Sequence, residues 1–460
     1  MQSKLKIIST LSILILSFHI SAQITFEKTY GSTYSERATS VHQTVDGGYI
    51  IGGTNLVKID KQGQEEWSKP YPSKFANITS DNGYILINGN SNIFFTKVDS
   101  NGDTLWTNSF KEGIWSNEGN YIEQTLDGGY IVTGRFQSVT GSGLLLLKLN
   151  STGNKEWHRT FSEPTSAGFC TGYSVKQTAG NGYILTGTAH KNFNDSTRNN
   201  DVFIVKTDSL GNEQWRRFFG GTEDDAGYSV LQDNSGNYII AGRTNSYGFG
   251  LGANMYLIKL DANGDSLLTQ TYGGNFEETA TSITQTSDNG YIISGSSNTF
   301  TNGDFDGYVV KTDNNGDTLW TKHYGYTGIE STNSGEQTTD NGYIFAGFTN
   351  SIGAGGSDMY ILKTDSLGNI HTPNSVIQGP NIGAKINVYP NPSYGSLTFN
   401  SKSTMATITL LNVIGKMVYS ENTSSKSVEL NLINLPKGVY IYQIQMKQEE
   451  VLQVGRIVIQ

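Results

Sequence analysis

The sequence predicts an all-β protein with two folded parts: seven four-stranded units, followed by a smaller sandwich. Two short modules, each a turn joined to an alternating apolar strand, occur seven times in strict alternation. The chain has 54 Gly and 25 Tyr but only 8 Pro, which suits short strands joined by tight turns. Four-stranded units at a period of about 50 residues, with no helical spacing between them, predict a seven-bladed β-propeller. A solenoid is the competing architecture, and it would need capping repeats that the sequence lacks.

The first element is a leader over the first 22 residues. Lys4 and Lys6 supply a basic start, an apolar stretch follows, and Ala22 ends a small-residue cleavage site. We expect cleavage after Ala22 and a mature chain with no integral membrane span, since no later apolar run could cross a bilayer. The single Cys170 excludes an internal disulfide framework. The net charge of −9 argues against nucleic acid and acidic membrane surfaces as partners.

The propeller is expected over residues 23–372. Its first module is a turn and a strand, as in DGGYIIGG from Asp46. The Gly-Gly or Asn-Gly before the tyrosine predicts the two positive-φ positions of a type I′ hairpin. The module tyrosines are Tyr49, Tyr84, Tyr130, Tyr183, Tyr238, Tyr291 and Tyr343.

The second module is a strand, a turn and an aromatic residue, as in IVKTDSLGNEQW. Its Asp-x-x-Gly predicts another tight reversal, with the Asp side chain capping backbone amides and Gly in the left-handed region. Each unit therefore has four strands, which we label A to D. Lysines on strand C are expected to form repeated ion pairs or to be solvated: Lys58, Lys97, Lys148, Lys206, Lys259, Lys311 and Lys363.

The last unit lacks strand D, because Thr372 and Pro373 stand where other units have Trp. The N-terminal segment Phe26–Tyr30 has the spacing of a strand D with no unit before it. We therefore expect it to complete the last blade and close the ring. The second unit is the weakest, since only 13 residues separate Tyr71 from Tyr84. Its strand A should be short or irregular, and six full blades with one degenerate blade is the alternative.

Large aromatic residues and glycines recur at fixed places in the units. Five of the six tryptophans begin strand D, and a glycine falls four residues after the module tyrosine in six units. This spacing predicts that Trp packs into the notch left by that glycine, between neighbouring blades.

Any ligand is expected on the face that carries the B–C and D–A connections, because these vary in length and sequence while the other turns are stereotyped. The candidate binding residues are the loop aromatics Tyr247, Phe249, Phe300 and Phe305, which could stack on sugars or anchor a protein. Neutral drift of loops rich in Gly and Asn is the alternative explanation.

Four acids recur six residues after the last aromatic of strand D: Glu36, Asp225, Glu278 and Glu330. One interpretation is a carboxylate ring near the mouth of the central channel that holds a cation such as Ca²⁺. The other is that each acid accepts backbone amides or pairs with a lysine of its neighbour. No other cofactor is expected. The histidines are scattered and no catalytic motif is present, so we identify no catalytic residue.

A linker is expected over residues 373–384 and a second domain over 385–460. Alternating strands there predict a small Ig-like sandwich. Tyr389, Pro390, Asn391 and Pro392, then LLNVIGKMV and NLPKGVYIYQI, closely resemble the type A sorting domain of Bacteroidetes type IX secretion. The resemblance implies passage through the periplasm, recognition by the type IX machinery, and a final place outside the cell or on its surface. A sandwich that binds carbohydrate by itself is the alternative.

The repeats also resemble known families. The segment MYLIKLDANGDSLLTQTYGGNFEETATSITQTSDNGYIISG is similar to secreted bacterial and archaeal β-propeller repeats, a resemblance that implies a fold and no reaction. The D-x-x-G-x-x-x-W spacing resembles quinoprotein dehydrogenase repeats, but this chain lacks their adjacent cysteines. We therefore expect a secreted or cell-surface binding or adhesion module without catalytic activity, its glycan or protein ligand unknown. An extracellular carbohydrate-active or quinone-dependent enzyme is the alternative.

Overall fold

The structure is a computed structural model in which the chain forms two compact units, Met1–Thr372 and Pro373–Gln460. Each unit is described by itself. The expected leader, with its cleavage site at Ala22, and the expected linker over 373–384 lie outside the described residues. The described residues are 23–112, 116–138, 141–162, 170–190, 199–299, 301, 304–370, 386–401, 403–412, 417–446 and 452–460.

The first unit is a β-propeller of seven antiparallel four-stranded sheets, which confirms the predicted fold. Blade 1 comprises β2 (Ala38–Gln43), β3 (Tyr49–Gly53), β4 (Leu56–Ile59) and β5 (Glu65–Lys69). Blade 2 comprises β6 (Phe75–Ile78), β7 (Tyr84–Asn88), β8 (Ile93–Val98) and β9 (Thr104–Phe110). Blade 3 comprises β10 (Asn117–Gln124), β11 (Tyr130–Ser138), β12 (Gly141–Leu149) and β13 (Lys155–Phe161).

Blades 4 to 6 repeat the same order, and blade 7 takes its outer strand from the other end of the unit. Blade 4 comprises β14 (Thr171–Gln177), β15 (Tyr183–His190), β16 (Asn200–Thr207) and β17 (Glu213–Phe219), and blade 5 comprises β18 (Asp225–Gln232), β19 (Tyr238–Thr244), β20 (Asn254–Leu260) and β21 (Ser266–Tyr272). Blade 6 comprises β22 (Glu278–Gln285), β23 (Tyr291–Ser297), β24 (Asp306–Thr312) and β25 (Thr318–Tyr324). Blade 7 comprises β26 (Glu330–Gln337), β27 (Tyr343–Thr349), β28 (Asp358–Thr364) and β1 (Phe26–Tyr30).

The N-terminal strand completes blade 7, as predicted. Strand β1 pairs antiparallel with β28, and Phe26 lies opposite Lys363. The same register places Trp67 opposite Lys58 in blade 1. Blade 2 is also complete, although its strand A, β6, is only 4 residues long. The fallback of a degenerate blade is therefore not needed.

The A–B hairpins differ from the predicted type I′ turns. In blade 1 the N–H of Gly47 donates to the Thr44 carbonyl at 2.9 Å, and φ is positive at Gly47 but not at Gly48. This is a three-residue loop with a type I turn followed by one left-handed residue. The prediction was wrong because Asp46 accepts the N–H of Gly48 at 2.9 Å, which favours the type I turn.

The C–D turns form as predicted. The Asp60 carboxylate accepts the N–H groups of Gln62 at 2.8 Å and Gln64 at 2.7 Å. Gly63 takes a φ of 73°, in the left-handed region where a glycine has no steric cost.

The tryptophans pack between blades, but against a different glycine from the one predicted. A Cβ added at Gly102, in the C–D turn of blade 2, would lie 2.9 Å from the Trp67 ring of blade 1. The same ring lies 6.2 Å from that of Tyr84 in blade 2. The glycine four residues after the module tyrosine has another role, since a Cβ at Gly53 would lie 2.0 Å from the Arg37 carbonyl oxygen, just before strand A. That glycine allows strands A and B to approach closely.

The second unit contains seven strands in two sheets, consistent with the predicted sandwich. One sheet has the order β29-β30-β33 and the other β32-β31-β34-β35. Their inner faces share one core, in which Leu397, Phe399 and Ile408 are fully buried. The strands are β29 (Asn387–Tyr389), β30 (Ser396–Asn400), β31 (Met405–Leu411), β32 (Met417–Asn422), β33 (Ser427–Asn431), β34 (Gly438–Met446) and β35 (Leu452–Ile459).

Candidate functional site

The predicted aromatic residues do not form one cluster. Tyr247 and Phe249 lie on the exposed loop between β19 and β20, where the Tyr247 hydroxyl donates to the Gly220 carbonyl at 2.8 Å. Phe305 forms an isolated parallel bridge with Ile329, between blades 6 and 7. Phe300 lies outside the described residues. Tyr247 lines a cavity that Phe249 and Phe305 do not line, and this cavity lies between two blades.

That cavity is a groove of about 540 Å³ between blades 4 and 5. The rings of Tyr247 and Tyr256 are 6.0 Å apart and tilted by 45°. The groove is lined by Phe218, Phe219 and Gly220 at the end of β17 and by Tyr247, Tyr256, Thr269, Gln270 and Thr271 of blade 5. Its walls combine aromatic rings with hydroxyl and amide groups.

The last aromatic residue of strand D differs among the blades, and at this groove, as in blades 2 and 3, it is phenylalanine. Blade 4 ends strand D with Phe219, which has no hydroxyl, and Arg217 donates instead to the Gly264 carbonyl at 3.1 Å. Phe219 is only half-buried and lines the groove. In three other blades a tyrosine at this position donates its hydroxyl to the C–D turn of the next blade: Tyr30 to Gly63 at 2.7 Å, Tyr272 to Gly316 at 2.6 Å, and Tyr324 to Gly368 at 2.7 Å.

The four predicted acids are buried at four separate blade junctions, at or just before the start of strand A. Each accepts a hydrogen bond from its own D–A connection: a backbone amide at Asp225, Glu278 and Glu330, as the second interpretation expected, and a hydroxyl at Glu36. The donors are the Ser32 hydroxyl to Glu36 at 2.6 Å, the N–H of Gly221 to Asp225 at 3.0 Å, that of Gly274 to Glu278 at 2.9 Å, and that of Tyr326 to Glu330 at 2.8 Å.

A second buried carboxyl residue faces three of these acids, Glu36, Asp225 and Glu330, from the start of strand C in the preceding blade. A Cβ added at Gly31 would lie 2.0 Å from Oδ1 of Asp358 and 3.1 Å from Oε2 of Glu36. Glycine follows strand D at these junctions because two polar side chains occupy the space of a Cβ. The facing residues are Asp358, Asp201 and Asp306 of blades 7, 4 and 6.

The sequence reasoning missed these facing residues. Their signal is an Asp five residues before the strand C lysine, present in blades 4, 6 and 7 only. Among the described residues, no group of three or more His, Cys, Asp or Glu side chains could hold a metal ion. Binding of Ca²⁺ by Glu36, Asp225, Glu278 or Glu330 stays a prediction.

The central channel is lined by strand A and contains paired polar groups. Nδ1 of His42 lies 3.0 Å from Glu336, and Lys176 donates to Glu123 at 2.7 Å. Burial acts to lower the pKa of Lys176, but the nearby Glu123 carboxylate outweighs it and raises that pKa. These groups pair with one another across neighbouring blades.

Six of the seven strand C lysines form ion pairs, the first of the two alternatives that the sequence left open, and Lys206 is the exception among the described residues. They are buried, and most reach the aspartate of their own A–B turn, as Lys58 reaches Asp46 at 2.9 Å. The same carboxylate accepts the Thr44 hydroxyl at 2.5 Å. Burial acts to raise the pKa of Asp46, but the Thr44 and Lys58 hydrogen bonds outweigh it and lower the pKa to about 2.

The expected sorting motif lies between β29 and β30 of the second unit. Tyr389, Pro390, Asn391 and Pro392 are exposed, and Oδ1 of Asn391 accepts the Val458 N–H at 2.9 Å. Residues 387–460 match the family model described as "Secretion system C-terminal sorting domain". This region is therefore a secretion-system sorting domain, and the protein is exported to the cell surface or the extracellular space.

Comparison with curated proteins found no matching sequence. Among solved structures, the extracellular domain of a one component system from B. thetaiotaomicron is 12% identical, with a TM-score of 0.41 over 94% of this chain. The chain spans 57% of the length of that domain. PorZ, a surface component of the type-IX secretion system of Porphyromonas gingivalis, is 10% identical, with a TM-score of 0.36 over 90% of this chain and 69% of PorZ. No function is transferred at these scores.

A helix long and apolar enough to cross a membrane is not found among the described residues.

Proposed function

We propose that the propeller is a non-catalytic binding module, which takes an oligosaccharide in the groove between blades 4 and 5. The observation that carries this proposal is the position of Tyr247. It comes from a loop that the sequence indicated for binding, and it lines a cavity of about 540 Å³. That volume lies within the usual range for a small-molecule site.

The lining chemistry suits a neutral sugar. The faces of Tyr247 and Phe219 can pack against the apolar faces of pyranose rings, with the buried Tyr256 ring behind Tyr247. The side chains of Thr269, Gln270 and Thr271 supply hydroxyl and amide groups that both donate and accept hydrogen bonds.

The same lining argues for binding without turnover. Glycoside hydrolysis in most families requires two carboxyl groups that flank the scissile bond. None of the residues that line the groove is Asp, Glu, His, Cys or Lys. The groove therefore offers contact surface without an acid or a base.

Export fits this function, because an exported module can meet glycans outside the cell. The sorting domain of residues 387–460 directs the chain there. The module would then attach the protein to a polysaccharide or to a glycan-bearing surface.

The test is a glycan array with the full mature chain, followed by calorimetry on the best glycan. Tyr247→Ala should weaken binding about tenfold or more, since it removes one aromatic wall. Phe249→Ala is the matched control, because Phe249 lies on the same loop and outside the groove lining. Equal losses for both variants would refute the groove as the site. Turnover of a bound glycan would favour the carbohydrate-active enzyme instead.

A further inference from the structure

The A–B turns contain a repeated carboxylate cradle. In blade 3, Asp127 accepts the Thr125 hydroxyl at 2.6 Å, the Gly129 N–H at 2.9 Å and the Lys148 ammonium at 2.9 Å. Blades 1, 2, 6 and 7 have the same four residue types in the same arrangement. Three donors therefore converge on one carboxylate in five of the seven blades.

Blade 5 retains an acid in another position. Asp233 takes the place of the threonine, and its carboxylate lies 3.4 Å from the Lys259 ammonium. The lysine of this blade is thus still paired, although the turn residues have changed.

Blade 4 keeps the three donors and has no acid in its turn. Gly180 stands where the other turns have Asp, while Thr178, Gly182 and Lys206 are retained. The Thr178 hydroxyl is buried and has no hydrogen-bond partner among the described residues. Lys206 is also buried, and within the described part of the chain its ammonium donates to the Thr207 carbonyl at 2.6 Å and the Gln214 side chain at 3.2 Å.

The geometry of the cradle is preserved despite the missing carboxylate. A Cβ added at Gly182 would lie 2.7 Å from the Lys206 ammonium, and the corresponding distance from Gly129 to Lys148 is 2.4 Å. A Cβ added at Gly180 would have no heavy atom within 4 Å, and Gly180 is exposed. The place of the carboxylate is therefore open to solvent.

We propose that the A–B turn of blade 4 binds a carboxylate from a separate molecule, held by Lys206, Thr178 and the Gly182 N–H. An ammonium, a hydroxyl and an amide N–H that converge on one place are complementary to a carboxylate. In five other blades the carboxylate of the protein's own turn aspartate is bound there. The carboxylate comes either from a small free acid or from the C-terminus of a peptide.

This site is independent of the groove. It lies on a stereotyped turn, whereas the groove includes a residue of the variable β19–β20 loop. A ligand of three heavy atoms such as formate binds with a Kd of about 1 mM at best, by the ceiling on binding energy per atom. The site by itself is thus weak, and it contributes specificity to a larger ligand.

The first test measures the thermal unfolding midpoint of the full mature chain in 100 mM sodium formate and in 100 mM sodium chloride. Wild type should be more stable in formate by about 2 to 4 °C. Gly180→Asp should have a higher midpoint in chloride and should lose the difference between the two salts. This variant also controls for general salt effects. An undiminished formate response in Gly180→Asp would overturn the proposal.

A reciprocal variant transplants the site to another blade. Asp127→Gly removes the acid of blade 3 and should lower the midpoint in chloride, with formate restoring part of the loss. A folded Asp127→Gly protein that responds to formate no more than Gly180→Asp would contradict the assignment of the cradle. If Asp127→Gly does not fold, the formate responses of wild type and Gly180→Asp still test the proposal.

The source of the carboxylate is distinguished with short peptides that end in a free C-terminus or in a C-terminal amide. Stabilisation by the free acid at a concentration at least tenfold below that needed for formate would assign the site to a chain terminus. Equal potency of formate and the peptide acid would assign it to a small free acid. Stabilisation by the amide as strong as by the acid would overturn the proposal.

Discussion

Phe26 is the residue whose removal best tests how the ring closes. Its side chain is buried on β1, and its ring lies 6.1 Å from that of Tyr49 in blade 1. A Cβ added at Gly63 would lie 2.9 Å from it, just as Gly102 lies against Trp67. Phe26, on the strand that completes blade 7, therefore packs against blade 1 as the strand D tryptophans of other blades pack against the next blade.

Phe26→Ala should lower the free energy of unfolding by about 3 to 4 kcal/mol, within the range for a large aromatic removed from a core. The loss includes the transfer of the ring to water and the cavity left between two blades. Urea unfolding followed by tryptophan fluorescence measures it, with Val45→Ala as the control. Val45 is 83% exposed, so its truncation should change stability by less than about 0.5 kcal/mol. A loss in Phe26→Ala as small as that of the control would refute the closure of the ring by β1.

Acid should destabilise the propeller between pH 4 and pH 2, because folding lowers the pKa of Asp46, Asp81 and Asp127 to about 2. Their contribution to stability is present above about pH 4 and is lost as pH falls. After allowance for their exposure the loss is about 1 kcal/mol each, measurable by urea unfolding at each pH. Glu330→Gln should be at least as stable as wild type at pH 7, because glutamine can keep the hydrogen bonds with the Tyr326 N–H and the Thr349 hydroxyl and removes a charge beside Asp306. A loss of stability above about 1 kcal/mol would instead indicate a bound cation. A chain truncated before residue 387 should remain in the cell fraction, and its normal appearance in the medium or at the surface would contradict the sorting assignment.

The repeat made the fold predictable, because each unit supplies a register for the others. Phe26 could be placed in strand D because it precedes Tyr30 by the same spacing that separates Trp320 from Tyr324. The turn type was less predictable. The Gly-Gly and Asn-Gly pairs are typical of type I′ turns, but the side chain of Asp46 decides the conformation by accepting the Gly48 N–H.

The candidate site could be predicted only in part. Tyr247 was identified because it is an aromatic on a variable loop. Phe219 and Tyr256 were not, since they lie in regular strands of two different blades. The junction of Glu36 with Asp358 was missed for a related reason. These residues lie near opposite ends of the propeller sequence and meet only when the ring closes.

The buried polar junctions and the long loops occur in the same half of the ring. Blades 4 to 7 have the long B–C connections, and blades 4, 6 and 7 have an Asp five residues before the strand C lysine, where blade 5 has Asn254. In blade 5, Asn254 accepts the Phe249 N–H at 2.9 Å and donates to its carbonyl at 3.2 Å. The Ser246 hydroxyl donates to Asp225 at 2.6 Å. Because Tyr247 lies between these two anchors, its ring is held beside the groove before any ligand arrives, which lowers the entropic cost of binding.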